Sequence, residues 1–212
     1  MNKSKHKNFE RELPSGYKQA LHLDARKTLV GIVFNLISFA VLAVVMVLAI
    51  VFLDAADKTS EDLIPARLPH NLIALSVFAI SMVGYIVLHE LVHGVAYKAL
   101  TGERLTFGMS WSCAFCGVPH IYTYRKAAVI SVASPLVIFT LIFIPLLILL
   151  FFCSPIYFLI FSFIFGLHLG GCSGDIYVLY LLLLKFRGKK TLMKDTGPEQ
   201  FFYVLEDVSN SP

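Results

Sequence analysis

The sequence predicts an all-α membrane protein: a four-span transmembrane helical bundle with a small β-hairpin on the cytoplasmic side, between the second and third spans. Three observations predict it. The chain has 212 residues, 57% apolar and only 15% charged, where soluble chains are about half apolar and about a quarter charged. About half the chain falls in four long apolar runs. Between the second and third of them, apolar and small or polar residues alternate with a period of two. This composition excludes a disordered chain, a collagen-like fibre and a disulfide scaffold, and it disfavours an ordinary soluble enzyme.

The spans follow in order. The first, residues 29–53, carries no charge; the second covers 71–100, the third 127–152 and the fourth 155–184. Each exceeds the roughly 20 helical residues that cross a bilayer core. The first begins after a long polar lead and is too long for a signal peptide's apolar core, so it stays in the mature protein. The organisation is then an N-terminal segment (1–28), a membrane domain (29–184) and a C-terminal tail (185–212). The tail reads as mobile from Thr191 onward.

Charge placement sets the orientation. Seven of the 18 Lys and Arg precede residue 28, and five lie between Lys185 and Lys194. The loop between the first two spans holds only Lys58 and Arg67. The positive-inside rule therefore puts both termini in the cytoplasm of a multi-pass cell-membrane protein. The same clusters suit anionic lipid rather than nucleic acid, for which no motif is visible. Oligomeric state leaves no signature.

The hairpin spans about residues 104–125. Leu105, Phe107, Met109, Trp111, Cys113 and Phe115 alternate with small or polar residues, predicting one strand with a buried face. Gly117 and Pro119 mark the turn, and Ile121 to Tyr124 the returning strand.

Chemistry concentrates in the second span, where His89-Glu90-Leu91-Val92-His93 matches H-E-x-x-H. Four-residue spacing puts two imidazoles on one helical face to grip a zinc ion, with Glu90 in reach of an attacking water. The pattern arises by chance about 0.01 times in a chain of this composition. Of the 14 Asp and Glu, only Glu90 and Asp175 fall within spans, where ionisable groups are costly and mark function.

A zinc site needs a third protein ligand, and the fourth span offers His168 and Asp175. Counting along parallel helices at about 1.5 Å per residue places Asp175 level with the histidine pair and His168 roughly 10 Å toward the outside. Asp175 is the expected ligand, and His168 an interior, hydrogen-bonded histidine. Cys113, Cys116 and His120 are secondary candidates for a metal or redox role, with structural hairpin cysteines as the default. Gly166, Gly170 and Gly174 recur every four residues and predict close helix contact.

The His89-to-Gly94 motif, the Cys113-to-Cys116 hairpin, Ser134-Pro135 and Ser173-Gly174-Asp175 together resemble the site-two-protease type of membrane metalloprotease. The chain is more closely similar to a family of bacterial membrane proteins described as putative zincin peptidases. The resemblance implies one zinc ion held by His89, His93 and Asp175, with Glu90 catalytic. It implies hydrolysis of peptide bonds in membrane or membrane-proximal protein substrates. Two rival readings remain at this level: a non-enzymatic membrane protein with a structural metal site or an accessory role, and a small metal or proton transporter.

Overall fold

A computed structural model describes residues 8–58, 68–110 and 114–206. Helix dominates. Helix α1 runs Thr28–Ala55, α2 Leu68–Thr101, α3 Arg125–Cys153, α4 Pro155–Gly171 and α5 Ser173–Tyr180; α5 leads into a π-helical turn, Leu181–Lys185. Four segments are long and apolar enough to cross a membrane: Thr28–Ala55, Asn71–Thr101, Arg125–Cys153 and Pro155–Lys185. They extend the expected spans by a few residues at most, because the apolar run length sets the helix length. Leu29, Phe39, Leu75, Ile80, Leu141 and Phe152 are among many large apolar side chains left exposed, as a lipid-facing surface requires.

The fourth segment is not one continuous α-helix. Pro155 starts α4 at its first position, where a missing N–H costs nothing. Cys172 then interrupts the helix, its N–H still donating to His168 O at 3.0 Å. Asp175 therefore sits in the first turn of a new helix.

Two compact units divide the chain. One comprises Val33–His89 and Pro135–Gly174. Within it α4 lies against α1 backbone to backbone. A Cβ on Gly170 would come within 2.7 Å of Ser38 Cα and O, and one on Gly166 within 3.2 Å of Leu42 Cα. The glycine spacing thus serves the first span, while Gly174 has nothing within 4 Å of its Cβ position. Ala49, Leu53 and Phe158 form a further core cluster between the same two helices.

The other unit comprises Met1–Ile32, Glu90–Ser134 and Asp175–Pro212. It holds two sheets. Strands β3 (Thr106–Met109) and β4 (Ala114–Gly117) form the antiparallel hairpin, in register Thr106 with Gly117 and Met109 with Ala114. Strand β3 ends at Met109 and β4 begins at Ala114, so the chain reverses before the turn expected at Gly117 and Pro119. Trp111, Ser112 and Cys113 of the expected strand lie outside the described residues. The expected single strand from Leu105 to Phe115 is two strands folded on each other. A period of two reads alike in both strands of a hairpin, so alternation alone does not locate the reversal.

The returning strand goes elsewhere. Strand β5 (Tyr122–Tyr124) joins β1 (Phe9–Glu10), β2 (Tyr17–Asp24), β6 (Thr191–Asp195) and β7 (Glu199–Leu205) in a five-stranded antiparallel sheet of order β1-β5-β6-β7-β2. Its core includes Leu192, Met193 and Phe202, all fully buried. The tail expected to be mobile from Thr191 is thus structured through Leu205. Those strands carry Lys194, Glu199 and Gln200 among their apolar residues, which masks them in composition. The architecture is accordingly helical with two small sheets rather than all-α with one hairpin.

Candidate metal centre

Helix α2 carries the whole H-E-x-x-H motif, with His89 and His93 one turn apart and both buried. A helix rotates about 100° per residue, so the spacing of four returns the second imidazole to the face of the first.

In the unit that includes Glu90–Ser134 and Asp175–Pro212, the His93 imidazole is held from both sides. Its Nδ1–H donates to the backbone carbonyl of Ser131 at 2.9 Å, and its Nε2 lies 3.4 Å from Asp175 Oδ2. The Ser131 bond fixes the tautomer that leaves Nε2 facing the carboxylate. Ser131 is fully buried, and its Oγ has no hydrogen-bond partner among the described residues. A buried hydroxyl without a partner is costly.

One turn further along α2, fully buried Tyr97 donates to Asp195 Oδ2 at 2.6 Å. Asp195 ends β6 and also accepts from Gly197 N–H at 2.9 Å. Burial pushes the Asp195 carboxyl up to about 6, partly opposed by the bonds from Tyr97 and Gly197. The C-terminal strands are therefore tied directly to the helix that carries the motif.

Gly94 follows the second histidine for a steric reason. A Cβ there would meet the Phe107 ring at 2.7 Å and Leu105 at 3.1 Å. The β3–β4 hairpin thus lies against α2 immediately beside His93.

In the other unit, His89 belongs to a buried aromatic cluster. Its Nδ1 is 3.0 Å from Tyr85 Oη, and the same hydroxyl is 3.0 Å from His168 Nδ1. His168 Nε2 lies 3.1 Å from Thr140 Oγ1, and Cys172 Sγ is 3.6 Å from His168 Nδ1. The His89 and His168 rings are 6.5 Å apart between centroids. His168 is therefore closer than the depth count predicted. Counting in steps of 1.5 Å from the helix starts ignores the reach of two long side chains and the register at which the helices meet. His89, His168 and Cys172 each offer a donor atom within 4.8 Å of the others.

The secondary candidates separate. Cys116 is buried on β4, and burial, with help from Asp195 and Glu90, pushes its thiol up to about 12, far from a ready thiolate. His120 is exposed in the turn before β5. Cys113 lies outside the described residues, so the structure does not describe the Cys113–Cys116 pair as a unit. At the surface, His22, Asp24 and Glu199 form another group of close donors, but Arg26 already pairs with both carboxylates.

A family described as "Putative zincin peptidase" matches residues 82–189, just over half of the chain. The chain belongs to this family. Comparison with curated proteins and with solved structures gives no match. Membership makes the chain one of a metallopeptidase family in which zinc is the implied metal, and residues 82–189 enclose the motif on α2 and Asp175 on α5. The zincin match stops before β6 and β7 and starts after β1, β2 and α1.

The donor chemistry suits zinc. Two imidazoles and a carboxylate are a nitrogen and oxygen set that zinc accepts, and three protein ligands leave a fourth position open.

Sequence reasoning missed four residues around the motif: Tyr85, Ser131, Tyr97 and Asp195. Tyr85 and Tyr97 had a signal, since each stands four residues from a motif histidine on the same helical face. Ser131 and Asp195 had none, because their contacts come from elements distant in sequence.

Proposed function

We propose that this protein is a membrane-embedded zinc metalloendopeptidase. It hydrolyses peptide bonds in membrane or membrane-proximal protein substrates, with both termini in the cytoplasm. One observation carries the reading: a motif histidine of a transmembrane H-E-x-x-H helix faces a transmembrane carboxylate, His93 to Asp175, at 3.4 Å. Ionisable groups so placed in a span mark function.

His89, His93 and Asp175 would hold the ion. Zinc, when bound, supplies a Lewis acid that polarises a carbonyl and lowers the pKa of a water to about 7. Glu90 acts as general base: its carboxylate takes the proton of the attacking water and delivers it to the leaving amine nitrogen. Its half-buried position, beside the first histidine on α2, suits a group that must meet both water and substrate.

The sheet supports a common side for the two ends, and the charges supply which side it is. Strands from residues 9–24, 122–124 and 191–205 pair in one sheet, so these three segments share one side of the membrane. The basic clusters among them assign that side to the cytoplasm, and their lysines and arginines suit anionic lipid.

The test is metal content and turnover in detergent-purified protein. Wild type should carry close to one zinc per chain; His89→Ala, His93→Ala and Asp175→Ala should lose it. Glu90→Gln should keep zinc and lose activity on a membrane substrate by a factor of about a thousand or more. Wild type without zinc, or an active Glu90→Gln protein, would overturn the reading in favour of a non-enzymatic membrane protein.

A further inference from the structure

We propose that Tyr85, His168 and Thr140 form a hydrogen-bonded chain behind His89 that locks its imidazole in the one tautomer able to bind a metal through Nε2. The inference rests on the zinc reading above and assigns positioning roles to three residues outside the H-E-x-x-H motif.

The geometry is a continuous path from buried His89, Tyr85 and His168 to half-buried Thr140. His89 Nδ1 and His168 Nδ1 both lie 3.0 Å from the Tyr85 hydroxyl, and His168 Nε2 lies 3.1 Å from Thr140 Oγ1. A phenol has one hydrogen, so it can donate to only one of the two imidazoles and must accept from the other or from both. Two of these arrangements run one way through the whole chain. In the first, His89 Nδ1–H donates to Tyr85, Tyr85 O–H donates to His168 Nδ1, and His168 Nε2–H donates to Thr140. His89 Nε2 then keeps its lone pair. When both imidazoles donate to the phenol, His89 likewise carries its proton on Nδ1. In the reverse direction Tyr85 donates to His89 Nδ1, so the proton sits on Nε2 and the ring cannot ligate through that atom.

Cys172 Sγ lies 3.6 Å from the same His168 Nδ1, where a thiol can act as weak donor or weak acceptor and so suits either direction. The surroundings keep the chain dry and the rings aligned. Phe139 stacks on His89 with an interplanar angle of 11°, while Phe139 and Phe143 pack against Tyr85 and His168. His168 and Cys172 are fully buried. In such surroundings a hydrogen bond is strong and its loss is costly. Ser131 O gives His93 the matching restraint from a backbone carbonyl, so each motif histidine has its Nδ1 engaged. Partners of this kind raise metal affinity by 10–100-fold in metal sites generally.

The experiment measures zinc affinity by chelator competition on the full-length protein in detergent. Tyr85→Phe keeps the ring and removes the hydroxyl; its affinity should fall about 10–100-fold. Thr140→Val, which leaves His89 and Tyr85 untouched, should lower affinity by a smaller factor. Thermal melting of the metal-free proteins shows that both variants fold. Cobalt-loaded wild type should show no thiolate-to-metal charge-transfer absorption. Tyr85→Phe with wild-type zinc affinity would overturn the proposal. So would a charge-transfer band that Cys172→Ser abolishes, since His168 and Cys172 would then be ligands themselves. Both results leave the zinc reading standing, whereas wild-type protein that binds no zinc removes that reading and this inference together.

Discussion

Asp195 shows how one buried carboxyl shapes the chain's response to pH. Its pKa is raised to about 6 by burial, above the ordinary 3.8. A carboxyl that holds its proton more tightly when folded favours the folded state while protonated, and that contribution is lost as pH rises through the window from about 4 to about 6. A rise of that size is worth about 3 kcal/mol between the two protonation states. Stability should therefore fall across that window in the wild type and stay flatter in Asp195→Asn, as melting temperatures at several pH values would show. Tyr97→Phe removes the 2.6 Å donor to this carboxyl and should cost about 1–3 kcal/mol. The same residue marks the limit of sequence reading. His89, Glu90, His93 and Asp175 stood out because charge is rare in spans. Asp195 looked like one more tail charge, because its partner Tyr97 is 98 positions away.

At the scale of elements, the glycines divide into those that hold helices together and those that do not. Gly170→Ala would drive a methyl into the backbone of Ser38, and packed helices must then separate at a cost of about 1–3 kcal/mol. Gly84→Ala meets open space and should leave stability unchanged or raise it by up to about 1 kcal/mol through helix propensity. Melting of the two variants side by side checks the contrast. Their common spacing was legible in the sequence, but the choice of partner was not. Gly166 and Gly170 could have met any of three other spans, and only the packing assigns them to α1. Helix lengths were readable because a bilayer imposes them on the apolar runs. The strands were not, because β1 has two residues and β5 three, and their pairing partners lie more than 60 residues away.

For the whole molecule, the decisive fact is that the two chain ends form one sheet. Removing residues 191–212 takes away β6 and β7, the two strands between β5 and β2, and deprives Tyr97 of Asp195. The truncated protein should insert in membranes yet be cleaved within residues 9–24 under limited proteolysis, where the full chain resists. Reporters fused to either end should fall on one side of the membrane, and a reporter inserted beside Lys58 on the other. A terminus found opposite its partner would contradict the sheet itself. Four counted spans led to the expectation of both termini on one side. The pairing of those termini with each other did not follow, since register between distant strands is set by tertiary packing rather than local pattern.

The pairing of β2 with β7 also fixes an order of events during synthesis. Tyr17 pairs with Leu205 and Asp24 with Glu199, so one of the first strands made waits for the last. All four spans enter the membrane in the interval, and until β7 emerges the β2 edge has no strand beside it. Asp195 likewise reaches Tyr97 only at the end, which leaves the motif helix without that anchor while the chain is unfinished. A chain assembled in this sequence completes the surroundings of its H-E-x-x-H helix last, after all of its long apolar helices have been made.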